Sequence, residues 1–335
     1  MLPFFCAAKS VRIILTFETL FWGKERKMKV LCIGSAVMDI MAKPIGQREE
    51  WKEKQRIEDI RIQTGGDAAN QSVHLAALGW EPGLISCVGT DTNGKMLRAA
   101  LENRGVDTSL VRETAEYPTG TAMVLVDGQG ERHTFSVKGA HSMLDEQALP
   151  DALPQGCRAI SLASLFSMPL LEERGLLTFL QKAREKGILI FADLAADKLG
   201  KGLEGIRPFL PLIDYFLPSR YDVLEMTGCS TAQEAAKGFL DGGTGQVVIK
   251  CGARGCYCAG TQYTGWIPAH QVDPVDTTGA GDCMVAVFLA RILAGDGVEA
   301  ACRYACQAAS YSTLFLGASS VELSDEAIRR FGETV

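Results

Sequence analysis

Asp276-Thr277-Thr278-Gly279-Ala280-Gly281-Asp282 runs directly into Cys283-Met284-Val285-Ala286-Val287-Phe288-Leu289-Ala290. Two glycines and an alanine allow a tight backbone turn and leave its N–H groups uncovered. The apolar run behind them reads as a helix buried nearly all round. Together they predict a helix N-terminus aimed at an anion, with the Asp282 carboxylate on its first turn. An acid there repels an anionic ligand, so its presence fits the handling of a proton beside a phosphate rather than the holding of that phosphate. Taken alone, Gly-x-Gly-Asp is more often a plain helix cap. The full seven residues, with an acid at each end, favour phosphoryl transfer.

From Met28 onward, short strand-like runs alternate with helical ones. Strands are predicted at residues 30–34, 84–89, 159–163, 188–193, 215–218 and 246–250. Helices are predicted at 68–78, 94–103, 171–186, 232–240, 280–293 and 299–316. Alternation of this kind implies an α/β fold with a mainly parallel sheet between helices, whose ligands sit at the C-terminal strand ends. Residues 41–63 and 119–137 break the pattern and read as strand pairs, the second turning at Asp127-Gly128-Gln129-Gly130. They predict a small sheet projecting from the main body.

Three further segments point to ligand chemistry. Gly65-Gly66-Asp67-Ala68-Ala69-Asn70 brings backbone close to a polyol and places a donor–acceptor amide one turn into a helix. Asp39 follows the first strand, where a carboxylate accepts two hydroxyls, although an acid in such a loop is most often a turn or a cap. Lys250-Cys251-Gly252-Ala253-Arg254-Gly255 carries a Gly-x-x-Gly loop after a strand, a pattern that by itself mostly marks a turn.

The segment 276–282 resembles the C-terminal signature of the ribokinase-like (PfkB) carbohydrate kinases, Asp-Thr-x-Gly-Ala-Gly-Asp. Residues 65–70 resemble the N-terminal signature, Gly-Gly-x-x-x-Asn. The resemblance extends from Met28 to the C-terminus. It implies a ribokinase-like three-layer fold, with a mainly parallel sheet flanked by helices and a small β-sheet lid formed by about 40–64 and 118–138. It also implies ATP-dependent phosphorylation of a hydroxyl on a sugar or sugar-like substrate. Asp282 is then the base, with Gly279, Ala280 and Gly281 around the transferring group. Asp39, Gly65, Gly66 and Asn70 bind substrate, and Ser219, Lys250, Gly252, Gly255 and Cys306 bind ATP. Relatives carry Asn-x-x-Glu where this chain has Ser219 and Asp222, so Asp222 is expected to serve Mg²⁺ indirectly, through water. Asp276 and the Thr278 carbonyl resemble a monovalent-cation site, which implies K⁺. Many relatives dimerise through their lids, so a homodimer is expected by resemblance. Family members act on pentoses, ketohexoses, keto-deoxy acids and nucleosides. A nucleoside kinase, with Phe166 or Phe135 as an aromatic slot, and a non-catalytic sugar-binding relative both remain open.

The composition agrees with a large α/β domain: 335 residues, 47% hydrophobic, 22% charged, net charge −6. No basic stripe is available for nucleic acid. Eleven scattered cysteines read as reduced, buried small residues of a cytoplasmic protein. Cys251, Cys256 and Cys258 cluster, but no second ligand pair shows zinc spacing, so they read as packing. Residues 1–27 are apolar yet interrupted by Lys9, Arg12 and Glu18, and are expected to be an extension outside the domain, not a membrane span. Gly89-Thr90-Asp91-Thr92-Asn93-Gly94-Lys95 imitates a P-loop, but Met96 offers no hydroxyl for a metal, so a structural connection is expected.

Overall fold

The computed structural model describes residues 29–46, 53, 54, 56–127 and 132–334. The extension at 1–27 and the tip of the 127–130 turn lie outside the described residues. In chain order the first elements are β1 (Val30–Ile33), β2 (Val37–Ile45), β3 (Asp59–Gly65), α1 (Asp67–Ala77), β4 (Pro82–Gly89), α2 (Thr92–Asn103), β5 (Val111–Thr114), β6 (Thr121–Asp127) and β7 (Arg132–Val137). Next come β8 (Ala159–Leu165), α3 (Pro169–Glu173), α4 (Leu176–Glu185), β9 (Leu189–Leu194), α5 (Gly202–Ile206), β10 (Tyr215–Phe216), α6 (Arg220–Thr227) and α7 (Ala232–Asp241). The chain continues through β11 (Gln246–Lys250), β12 (Cys256–Gly260), β13 (Gly265–Ile267), α8 (Ala280–Ala294), α9 (Val298–Ser312) and α10 (Asp325–Thr334).

Nine strands form one sheet in the order β13-β12-β11-β10-β9-β8-β1-β4-β5. Pairing is parallel from β11 to β5 and antiparallel across β11–β12–β13. The strands β1, β4 and β8 are buried along their whole length, as expected of parallel strands covered on both faces. Strand order reverses at β1, which lies between β4 and β8, so the crevice for a ligand opens beside its C-terminal end. Two hydrophobic layers flank the sheet, one with α1, α8 and α9, the other with α4 and α7. The helix α8 is buried from Asp282 through Ala290, as its apolar run predicts. Phe288 on it packs edge-on against Phe191 and Tyr215 of the sheet.

The helix predicted over 171–186 is instead two, α3 and α4. Gly175 takes φ 88° between them, and the Glu172 carboxylate turns back to accept the N–H groups of Phe166 (2.7 Å) and Met168 (3.1 Å). α6 and α10 lie outside the predicted helices. Periodicity is weak over α6, where only Val223 is buried and the Ser219 cap supplies the start signal.

The remaining strands form a second sheet, β3-β2-β6-β7. The predicted strand pair at 41–63 is β2 with β3, beginning four residues earlier than expected. Alternation divides its faces. Ile40 pairs with Ile62 and Met123, and Met123 with Phe135, so these side chains share one face. Asp39 lies on the other face, with Gln63 opposite.

Candidate active site

The turn before α8 has the conformation that its glycines predict. Gly279 adopts φ 73°, and a Cβ there would collide with the Ala318 carbonyl, so only glycine fits. Asp276 fastens this turn to the 317–319 loop: its carboxylate accepts the N–H groups of Thr278 (2.8 Å) and Gly317 (2.9 Å). Two residues outside the predicted site steady the same loop. His74 Nε2 lies 3.3 Å from Ala318 O, and burial holds this imidazole neutral, with its pKa down to about 4. Arg104 donates to Ser319 O at 2.8 Å. The Ala280 N–H is less open than the sequence suggests, since it donates to Thr277 O at 3.3 Å.

Asp282 sits on the first turn of α8 and is 8% exposed. The helix α1 approaches it from the other motif. Asn70 Nδ2 donates to Asp282 Oδ2 at 2.9 Å, and Gln71 Nε2 lies 3.4 Å from Oδ1. Ser161 Oγ donates to Gln71 Oε1 at 2.7 Å, fixing that amide's orientation. Asn70 Oδ1 is buried with no protein donor, an acceptor placed beside the carboxylate. Gly65 ends β3 against the Asp39 carboxylate, where any Cβ would strike the oxygens, and Gly66 follows as the N-cap of α1. Gln71 and Ser161 went unnoticed in the sequence because their role depends on which way α1 faces.

Burial dominates the electrostatics. Asp282 is pushed well above the usual carboxylate range, first by burial and then by Asp67, against the Asn70 hydrogen bond and Lys250. Burial alone raises Asp39 to about 6. Asp67, which accepts the Ser164 hydroxyl at 3.0 Å, is raised to about 6 by burial and then by Asp193. Asp193 at the end of β9 pairs with Lys250, yet burial outweighs the pair and raises its carboxyl. Nothing in the sequence distinguishes Asp67 and Asp193 from ordinary surface acids.

Beyond the α8 turn lies a cavity of about 390 Å³, walled by Ser219, Lys250, Gly252, Gly255, Gly281 and Cys306 among others. All five residues expected to contact a nucleotide therefore border one space. Lys250 Nζ reaches the α8 terminus, 3.4 Å from where a Gly281 Cβ would stand. Ser219 and Asp222 form a local cap: the hydroxyl accepts the Asp222 N–H (3.1 Å) and donates to its carboxylate (2.6 Å). Asp222 borders a separate depression of about 220 Å³ with Phe166 and Asp197.

Asp91 caps α2 by accepting Gly94 N–H (2.8 Å) and takes the N–H and hydroxyl of Thr119, so the P-loop imitation is a structural connection. Phe166, at φ 76°, is packed into the core, and Phe135 lies on the face of the small sheet away from Asp39. No helix among the described residues is long and apolar enough to cross a membrane.

Residues 27–324 match the sequence profile of the pfkB family carbohydrate kinases. The chain is 29% identical over 273 residues to a ribokinase of Haemophilus influenzae, covering 78% of this chain and 85% of that one. It is 30% identical over 232 residues to the aminoimidazole riboside kinase of Salmonella typhimurium, covering 67% and 72%. An E. coli protein described as a ribokinase II, solved in complex with ATP and Mg²⁺, superposes with a TM-score of 0.79. The superposition covers 92% of this chain and 100% of that one, at 24% identity.

Proposed function

This chain belongs to the pfkB family of carbohydrate kinases, and from that premise we propose that it transfers the γ-phosphoryl group of ATP to a hydroxyl of a sugar or sugar-like acceptor. The observation that carries the site assignment is Asp282, buried on the first turn of α8 and joined to Asn70, whose second amide atom is an acceptor without a donor. Asp282 takes the proton of the attacking hydroxyl, and its raised pKa makes it a stronger base than a surface carboxylate. Asn70 Oδ1 accepts an acceptor-side hydroxyl, and Asp39 beside Gly65 accepts others. The turn at Gly279, Ala280 and Gly281 presents the positive end of α8 to the transferring group, and Lys250 adds a charge there. Gly252, Gly255, Ser219 and Cys306 wall the space for the nucleotide.

Three carboxylates, Asp67, Asp193 and Asp222, lie within electrostatic range of one another, and Lys250 acts on the first two. That excess of negative charge suits a divalent cation: these acids would hold Mg²⁺ through water, and the ion would supply charge compensation for the phosphates. Asp276 with the Thr278 carbonyl is the proposed place of a monovalent cation. Measuring turnover in potassium and in tetramethylammonium salts tests it, and equal rates would remove that role. The free state of the ten described cysteines suits a reducing cytoplasm.

A coupled ADP-release assay across ribose, deoxyribose, fructose, keto-deoxygluconate and nucleosides tests the proposal. Turnover on a free sugar is the expected result. Turnover on nucleosides alone would select the nucleoside reading that the 30% identical riboside kinase favours. ATP and sugar binding with no turnover on any compound would select a binding protein.

Two predictions arise here. Asp39 is raised from 3.8 to about 6 by burial. An acid raised by folding contributes stability below its unfolded value, and that contribution is lost as pH rises through about 6. Asp39→Asn is therefore expected to stabilise the ligand-free protein above pH 6 by about 1–3 kcal/mol, while lowering kcat/KM. Thermal melts at pH 5 and pH 8 check the sign, and a gain at pH 5 larger than that at pH 8 would contradict it.

The small sheet turns Ile60, Ile62, Met123, Phe135 and Val137 to solvent, with Phe135 61% exposed. A contiguous apolar face of this kind suits a self-complementary interface, and a homodimer through it is the proposed assembly. Light scattering is expected to give a dimer mass that falls to monomer in Phe135→Asp. A dimer that survives the substitution would place the interface elsewhere.

A further inference from the structure

We propose that Cys256, Cys258, Cys302 and Cys306 form a buried thiolate site for a closed-shell metal cation, Zn²⁺. The chain carries two cysteine pairs with matched geometry. Cys256 and Cys258 are two apart on β12, so their side chains share one face of the strand. Cys302 and Cys306 are four apart on α9, so they stack on one face of the helix. These two faces meet. Cys256 Sγ lies 3.9 Å from Cys258 Sγ and 3.8 Å from Cys306 Sγ, and Cys258 Sγ lies 3.4 Å from Cys302 Sγ. The sulfurs of Cys256, Cys258 and Cys302 all fall within 4.8 Å of one another.

A tetrahedral zinc with Zn–S of about 2.3 Å needs sulfurs about 3.8 Å apart, and the three closest separations cluster around that edge. The second ligand pair missing from the sequence reading is supplied by α9, some forty residues downstream of β12.

Packing alone is the competing account, since buried cysteine behaves as a small apolar side chain. Three fully buried thiols from two elements lie within 4.8 Å of one another, with the 3% exposed Cys306 against Cys256, which packing does not require. Cys306 also borders the cavity assigned to the nucleotide. Cys306 is the one ligand shared with the wall of the nucleotide cavity, and Cys256, Cys258 and Cys302 do not line it, so failure of the metal site leaves the kinase reading untouched.

The test uses the full chain, reduced and purified without chelator, with metal content measured by atomic emission and Co²⁺ as a spectroscopic replacement. About one zinc per chain is expected, together with the visible absorption of tetrahedral cobalt–thiolate after exchange. Both signals are expected to vanish in Cys258→Ala and Cys302→Ala and to persist in Cys157→Ala and Cys229→Ala. Far-ultraviolet circular dichroism verifies that the variants fold. Because the wild-type cobalt spectrum needs no variant, it decides the matter even if a substitution unfolds the chain. No cobalt–thiolate band in a protein whose thiols all titrate as reduced after denaturation would overturn the site. A band that survives Cys258→Ala and Cys302→Ala would overturn it equally.

Discussion

Asp282→Asn is expected to lower kcat by about 10²–10⁴-fold, the usual contribution of a positioned general base, with much smaller changes in the KM values. The substitution preserves size, and its amide oxygen still accepts from Asn70 Nδ2, so the local packing survives. What it removes is a proton acceptor whose basicity is raised by burial and by Asp67. The same burial makes the ionised carboxylate costly in the ligand-free protein, so the variant is also expected to melt at a higher temperature above neutral pH. Loss of activity together with gained stability separates a chemical role from a structural one. Turnover within about tenfold of wild type would rule out Asp282 as the base. Steady-state kinetics and a melt on the same preparation supply both readouts.

Lys250→Met is expected to have the second largest effect, on folding and turnover together. Lys250 and Asp193 form an ion pair whose side chains are 12% and 6% exposed. Removing one partner of a buried pair leaves the other charge uncompensated, at a cost of about 3–5 kcal/mol. Protonation of Asp193, already raised by burial, relieves part of that cost. The loss of positive charge beside Gly281 is expected to lower kcat by about 10²–10³-fold, the scale seen when one preorganised donor is lost. The double variant Lys250→Met/Asp193→Asn distinguishes the two effects. It is expected to regain most of the stability, because neither charge is then buried alone, without regaining turnover. Wild-type kcat in the double variant would reduce Lys250 to a structural role.

Much of the fold was legible in the chain. Strands buried on both faces, such as β4 and β8, show as mainly apolar runs broken only by small serines. The solvent-facing small sheet shows as alternation at 121–126 and 132–137. The break within 171–186 was missed because glycine inside a helical pattern is usually tolerated; here Gly175 takes a left-handed conformation and the Glu172 carboxylate fixes the turn. At the site, the residues in glycine-rich motifs were visible because close backbone approach restricts which residues fit. Gln71, Ser161, Asp67 and Asp193 were not, since amides, hydroxyls and acids are common everywhere and gain meaning from their neighbours.

Sequence by itself determined the α/β alternation, the turn that opens α8 and the two motifs that carry Asp282 and Asn70. These are local matters of glycine conformation, apolar periodicity and strand propensity. Only the tertiary structure decided that Asn70 and Asp282, 212 positions apart, share a hydrogen bond, and that Lys250 reaches the α8 terminus. It likewise decided that strand and helix cysteines converge. Such contacts are set by how helices pack across a sheet, and their chemistry by burial, which raises a carboxylate only once the surrounding chain has excluded water.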